Sequence, residues 1–362
     1  MNAPRRVVVR GPNWLGDLVM ATPAIRALGD AWPEATIDVA VPSAFAPIVP
    51  LLDPRTRAVP LEGRTGLAAM NRHAAQLAAG GYDLGVLLTN SFGSALAMRR
   101  AGVPERWGYR RDARGMLLTR AIRVRDTRRE SRHHADYYAA LVEAIGLPRP
   151  ALDLQALLPQ GARDEAVALL RAGGWDGTAP VLACAPGAAY GAAKQWPARH
   201  VAVVASAWIA KGGLVVLVGA GADRPAAEAV LAGVPVSSHA EIVDLTARTS
   251  LLALAGVLGV AERVLANDSG AMHLAAALGT PTESVFGPTR EWATAPLGPH
   301  RIQTHEVWCR PCMLRECPLD HRCMTAVTPD RVIAALRDVD RDDVSPTPDA
   351  LSTGRPNVGV DL

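Results

Sequence analysis

Aromatic side chains are scarce in this sequence. Phenylalanine, tryptophan and tyrosine make up 4% of the 362 residues, too few for an RNA module that stacks bases on rings. A surplus of one charge is also lacking, since 38 Lys and Arg face 35 Asp and Glu, a formal +3. That balance excludes a dedicated nucleic-acid binder. No apolar run approaches the ~18 residues that cross a bilayer as a helix. The first segment, MNAPRRVVVRGPNWLGD, has only three consecutive valines, where a secretory leader needs roughly 7–15 apolar residues. The expectation is a cytoplasmic protein. The loop after the first apolar run lacks G-x-G-x-x-G spacing and an acidic ribose clamp, which disfavours NAD. No GK[ST] is present, which removes a P-loop.

What is present is a soluble globular composition, with 49% hydrophobic and 20% charged residues. Short apolar runs alternate with helical stretches. Strands are expected at 7–11, 36–42, 57–61 and 83–90, and helices at 13–30 and 66–80. The runs lack period-2 alternation, so they read as parallel strands covered on both faces. Then comes LPRPALDLQALLPQ (147–160), rich in proline and without a period, an interdomain linker. A helix follows at 161–172. Alternation then restarts, with strands expected at 180–187, 213–221, 240–246, 263–268 and 281–289. The fold class is α/β, two Rossmann-like domains in tandem over 1–158 and 159–326. A last helix is expected at 327–338, with Thr328 as cap and Pro329 at its first position. The tail from Arg341 has no apolar period and reads as disordered.

Three loops carry chemistry. GPNWLGDLVMATPAIRAL puts Asp17 near a helix start, as a favourable first-turn charge or as a carboxylate facing a cleft. CAPGAAYGAAKQWP (184–197) is a glycine-rich loop followed by Lys194, either a surface loop or a cradle of backbone N–H groups with one ammonium for an anion. NDSGAMHLAAALGTP (267–281) follows a strand and opens a helix. Asp268 or Ser269 could cap that helix and Gly270 ease the turn. The same arrangement could instead hold phosphate on the helix N-terminus. His273 could then donate to a ligand oxygen or bond a backbone carbonyl.

Residues 99–132 hold twelve arginines against four acidic residues, a solvated face or an anion-binding surface. The Asp338-Val339-Asp340 motif reads as a solvated helix end. Four of five cysteines, Cys309, Cys312, Cys317 and Cys323, fall in VWCRPCMLRECPLDHRCM with C-x2-C-x4-C-x5-C spacing. A structural zinc with His321 as substitute ligand, disulfide or redox pairing, and reduced thiols packing a loop all remain open. Cys184 reads as a buried small hydrophobe.

Taken together, GPNWLGDLVMATPAIRAL, NSFGSALAMRRAGVPERWGYR, PGAAYGAAKQWP, DLTARTSLLALAGVL and NDSGAMHLAAALGTP…FGPT resemble the bacterial lipopolysaccharide heptosyltransferases of glycosyltransferase family 9. The likeness runs from about residue 6 to 338 and is strongest to the heptosyltransferase II branch. It implies a GT-B fold, with two Rossmann-like domains facing across a cleft. It implies inverting transfer of heptose from ADP-heptose to the heptose-Kdo-lipid A inner core, with no cofactor for catalysis. Asp17 would be the general base. Lys194, Asp268, Ser269, Gly270, His273 and Asp223 would bind the donor, and Asn13, Arg110 and Arg114 the acceptor. The implied location is the cytoplasmic face of the inner membrane, held peripherally to an anionic leaflet. A family 9 enzyme with another acceptor or nucleotide sugar, or an inactive nucleotide-binding homologue, is the alternative.

Overall fold

A computed structural model describes residues 3–63, 66–123 and 132–337. Its strands form two six-stranded sheets. The first contains β1 (Arg6–Arg10), β2 (Thr36–Pro42), β3 (Arg57–Leu61), β4 (Leu84–Leu87), β5 (Glu105–Tyr109) and β6 (Arg120–Ile122). The second contains β7 (Val181–Ala185), β8 (Leu214–Leu217), β9 (Ile242–Asp244), β10 (Arg263–Asn267), β11 (Thr282–Phe286) and β12 (His300–Thr304). The spatial orders are β3-β2-β1-β4-β5-β6 and β12-β11-β10-β7-β8-β9. Every pairing is parallel. Each order is the doubly wound one, with its switch point between β1 and β4, or between β7 and β10. Ligands of such sheets bind beyond the carboxyl ends at that point.

The central strands are apolar because both faces are covered. Val7, Val8 and Val9 of β1 and all four residues of β8 are buried. One apolar cluster runs from sheet to sheet, with Val9, Leu28 and Val86 on one side and Val264, Met272 and Phe286 on the other. All nine strands expected from the sequence are present. β5, β6 and β12 are additional. β6 has three residues at a sheet edge, and β12 is half-buried throughout. Neither carries the apolar run that marks a covered strand.

No helix or strand occurs between Ala144 and Gln160. That segment is nonetheless tied to both halves. The Ala156 N–H donates to the Ala277 carbonyl at 2.7 Å, and the Leu157 N–H to that of Leu51 at 2.9 Å. The last helix, Pro329–Arg337, begins at the proline expected to start it. It buries Val332 and Leu336 against Val201 and Val204. Asp338, Asp340 and the tail from Arg341 lie outside the described residues. Among the described residues, no helix is long and apolar enough to cross a membrane.

Candidate active site

On the second sheet, the loops after β7 and β10 meet. The Asn267 side chain, buried at the end of β10, laces them together. Its Nδ2 donates to the carbonyls of Pro186 and Gly187 at 2.8 and 3.2 Å, and its Oδ1 accepts from the Trp196 N–H at 2.9 Å. The loop so fixed presents Lys194. Lys194 Nζ lies 2.6 Å from Asp268 Oδ2, both side chains being largely buried. Thr289 Oγ1 donates to the same Asp268 oxygen at 2.6 Å.

Ser269 occupies the N-cap of the helix Gly270–Ala277, but its side chain makes no cap bond. Its Oγ is buried and without a partner within the protein. The capping role allowed by the sequence is therefore not filled, because Asp268 has turned to Lys194 and Thr289. The uncapped turn keeps N–H donors at the positive end of a helix, the arrangement that receives anions. Asp223 lies in the 3-10 turn Gly221–Asp223 that follows β8. Its Oδ2 accepts from the Ala220 N–H at 2.8 Å. A Cβ on Gly187 would stand 1.9 Å from Asp223 Oδ1, so this loop needs glycine there.

On the first sheet, Asp17 lies in the first turn of the helix Leu15–Ala31 and remains partly exposed. His134 Nδ1 is 3.2 Å from Asp17 Oδ1. Asn13 is exposed, and its Oδ1 accepts from Arg10 Nη2 at 2.5 Å. Burial pushes Arg10 down to about 10. Arg110 is exposed and lies over Gly115. Arg114 departs from expectation, being fully buried. Its Nε donates to the Tyr109 carbonyl at 2.9 Å, its Nη1 donates to that of Thr89, and burial pushes it down to about 10. It braces the end of β5 and the segment just past β4 and presents no surface to an acceptor.

Other arginines of the basic stretch are also occupied. Arg100 donates to Asn71, Arg106 to the Leu117 carbonyl, and Arg120 lies over Trp107. Arg125, Arg128 and Arg129 of that stretch lie outside the described residues.

The two sides are in contact. A Cβ on Gly16 would stand 2.5 Å from His273 Cδ2, and one on Gly270 would stand 2.8 Å from Leu15 Cβ. Each helix start thus accommodates the other's side chain. His273 is buried with Nδ1 unpartnered. Burial pushes it down to about 4, while the charges of Asp268 and Asp17 pull it up. The His273 ring thus packs on the residue before Asp17 and feels the charges of both Asp17 and Asp268. His133 makes a second bridge. Its Nδ1 accepts from the Ala135 N–H at 3.1 Å, which leaves the ring proton on Nε2, and Nε2 donates to the Ala295 carbonyl at 2.7 Å. Burial pushes His133 down to about 4 as well.

All five cysteines are free thiols. Among the described residues, no group of three or more His, Cys, Asp or Glu side chains is arranged to hold a metal ion. The zinc considered for Cys309, Cys312, Cys317 and Cys323 thus has no support. Burial and then the neighbouring Cys309, Cys317 and Cys312 push Cys323 up to about 11. His321 bonds the Ala193 carbonyl at 2.7 Å instead of joining the thiols. Cys184, fully buried in β7, is pushed up to about 12 by burial, as a small core residue should be. Sequence reasoning missed His134, Asn267, Thr289 and Tyr190. Asn267, Tyr190 and Thr289 fell within stretches already singled out, while His134 carried no signal.

The sequence pattern of the family described as Glycosyltransferase family 9 (heptosyltransferase) matches residues 70–322. The chain is 30% identical to lipopolysaccharide heptosyltransferase 2 of Escherichia coli over 341 residues, 91% of this chain and 97% of that protein. It is 29% identical to lipooligosaccharide heptosyltransferase 2 of Haemophilus ducreyi over 345 residues, 91% of this chain and 98% of that one. The solved structure of E. coli ADP-heptose lipopolysaccharide heptosyltransferase II superposes with a TM-score of 0.78 at 30% identity, covering 92% of this chain and 97% of that one. The fold is accordingly the two-domain GT-B arrangement expected from the sequence. The chain belongs to glycosyltransferase family 9, the heptosyltransferases, and is a glycosyltransferase.

Proposed function

We propose that this enzyme transfers heptose from ADP-heptose to the heptose-Kdo-lipid A inner core of lipopolysaccharide, with inversion at the anomeric carbon and Asp17 as general base. In this reading residues 1–158 take the acceptor and residues 159–326 the donor. The observation that carries it is the meeting of the two helix starts. The His273 ring packs on Gly16, the residue before Asp17, and belongs to the helix whose uncapped turn follows Asp268, which pairs with Lys194. The likeness to an E. coli enzyme named for ADP-heptose supports the donor.

The acceptor hydroxyl attacks the anomeric carbon from the face opposite the leaving group. Its proton passes to Asp17. The bond to the diphosphate oxygen breaks, and its electron pair leaves with ADP. One displacement inverts the centre. Positioned base catalysis contributes about 10²–10⁴-fold. Negative charge grows on the departing diphosphate and meets the Lys194 ammonium and the N–H groups that open the helix Gly270–Ala277, donors fixed before the reaction begins. The diphosphate takes over Lys194 from Asp268, whose carboxylate then accepts from heptose hydroxyls. Asp223, in the turn that follows β8, lies on the edge that would receive the adenosine ribose.

On the acceptor side, Trp14, Phe92 and Met116 are exposed apolar residues in the segments that follow β1, β4 and β5. Exposed Arg110 directly follows β5 on the same edge. Apolar and basic groups on one rim suit an anionic glycolipid at the inner leaflet of the inner membrane.

Asp17→Asn should abolish transfer while ADP binding, read by calorimetry, stays at the wild-type value. Wild-type turnover in that variant would remove Asp17 from the reaction. Mass spectrometry of the product from defined truncated lipopolysaccharide acceptors identifies donor and acceptor together.

A further inference from the structure

The four-cysteine loop has no part in the reaction described above, yet it is fastened to the donor side at both ends. The Arg315 carbonyl accepts from the Ala193 N–H at 2.9 Å, and His321 Nε2 donates to the Ala193 carbonyl at 2.7 Å. Both polar backbone groups of the residue before Lys194 are therefore held by this loop. Tyr190 Oη donates to the Met313 carbonyl at 2.7 Å. A Cβ on Gly191 would stand 2.4 Å from the Arg315 oxygen, so the two segments pack with no room between them. The Lys194 ammonium lies 4.7 Å from the centre of the Tyr190 ring, and the Arg315 guanidinium 5.2 Å from it.

The loop's other attachments reach the segment that follows β11. The Met313 N–H donates to the Pro288 carbonyl at 2.9 Å, and Arg310 Nε to that of Gly287 at 2.7 Å. The next residue, Thr289, is the one that holds Asp268. One short loop thus spans the two segments that fix Lys194 and Asp268.

We infer that the Cys309–Cys323 loop is the positioning element of the donor site, with Tyr190 and His321 as its positioning residues. It sets the place of the Lys194 ammonium before the diphosphate arrives. Binding groups fixed in advance lose less freedom when the ligand binds, so affinity depends on the shell behind them. The inference rests on the reading of Lys194 and Asp268 as donor-site residues.

The test uses the full chain and ADP as probe. Calorimetric affinity, the ADP-induced shift in Tm, and KM for donor and acceptor are measured for the wild type, Lys194→Ala, Tyr190→Phe, His321→Ala and His321→Gln. Tyr190→Phe removes one oxygen and keeps the ring beside Lys194. It and His321→Ala should each weaken ADP about 5-fold, the size of one hydrogen bond's contribution. They should raise donor KM in proportion and leave acceptor KM at the wild-type value. His321→Gln, which can still donate to the Ala193 carbonyl, should recover most of the loss. Wild-type ADP affinity in both loop variants, beside weak binding by Lys194→Ala, would overturn the positioning role alone. Equal losses for donor and acceptor would also overturn it, since general loosening of the fold does that. Unchanged affinity in Lys194→Ala would overturn the donor-site reading and this inference with it.

Discussion

At the residue scale, the contact between His134 and Asp17 decides how the proposed base is held. A carboxylate only accepts, so the ring nitrogen facing Asp17 Oδ1 must carry the proton. Oδ2 is then left to the acceptor hydroxyl. An asparagine places its amide nitrogen close to where Nδ1 stands and can make the same bond. His134→Asn should therefore keep most of kcat, whereas His134→Ala should lower it about tenfold, the size of one hydrogen bond to a charged group, with donor KM unchanged. Steady-state kinetics of the two variants tests this. A role for His134 as the proton acceptor would instead make both variants equally poor. No sequence signal announces the pairing, because Asp17 and His134 lie 117 positions apart. Asp17, Lys194 and Asp268 could each be singled out locally as a charged group beside a loop. That the loops of Lys194 and Asp268 converge follows from their place after two strands of one domain, whereas the approach of Asp17 came only from family resemblance.

At the scale of elements, the central strands were legible and the edges were not. β1, β7 and β10 are apolar on both faces and announce themselves as short unbroken runs. In β5, ERWGY, a buried Trp107 and Tyr109 stand among arginine and glycine, so no run forms. The basic stretch misled for a related reason. Charge counts do not show which guanidinium groups turn inward, and Arg114 turned inward to satisfy carbonyls at the end of β5 and just past β4.

The interlock of helix starts gives a sharper expectation. Gly16→Ala brings a methyl within 2.5 Å of a buried imidazole carbon. Overpacking of this kind costs about 1–3 kcal/mol. It should lower Tm and also separate Asp17 from the donor side, so that kcat falls more than in a surface variant of equal stability. Denaturation and kinetics on the same sample check both. A variant with wild-type Tm and kcat would show that the joint is slack.

Across the whole molecule, two neutral histidines sit where the halves meet. His133 and His273 each fall to about 4 in the fold, against about 6.5 for a free imidazole. The folded values are depressed, so the stability they contribute is fully present above pH 6.5. It is lost as the pH falls from there through about 4, because the unfolded chain binds protons that the folded one refuses. Each ring can cost up to ~3 kcal/mol below that range. Calorimetry at pH 7.5 and pH 5 should show Tm falling on acidification. His133→Gln, with no ring to titrate, should fall less. An equal drop in both proteins would place the acid sensitivity elsewhere.

The extended stretch around Ala156 and Leu157 has one more consequence. It is bonded to the Leu51 carbonyl of one half and the Ala277 carbonyl of the other, and Arg26 Nη2 clasps its Gln155 carbonyl at 2.7 Å. The connection is therefore a stitched seam. Drawing the two lobes apart must tear those bonds. Substrate exchange should then proceed by a shallow rocking motion, and nucleotide and acceptor stay on speaking terms through the whole turnover cycle.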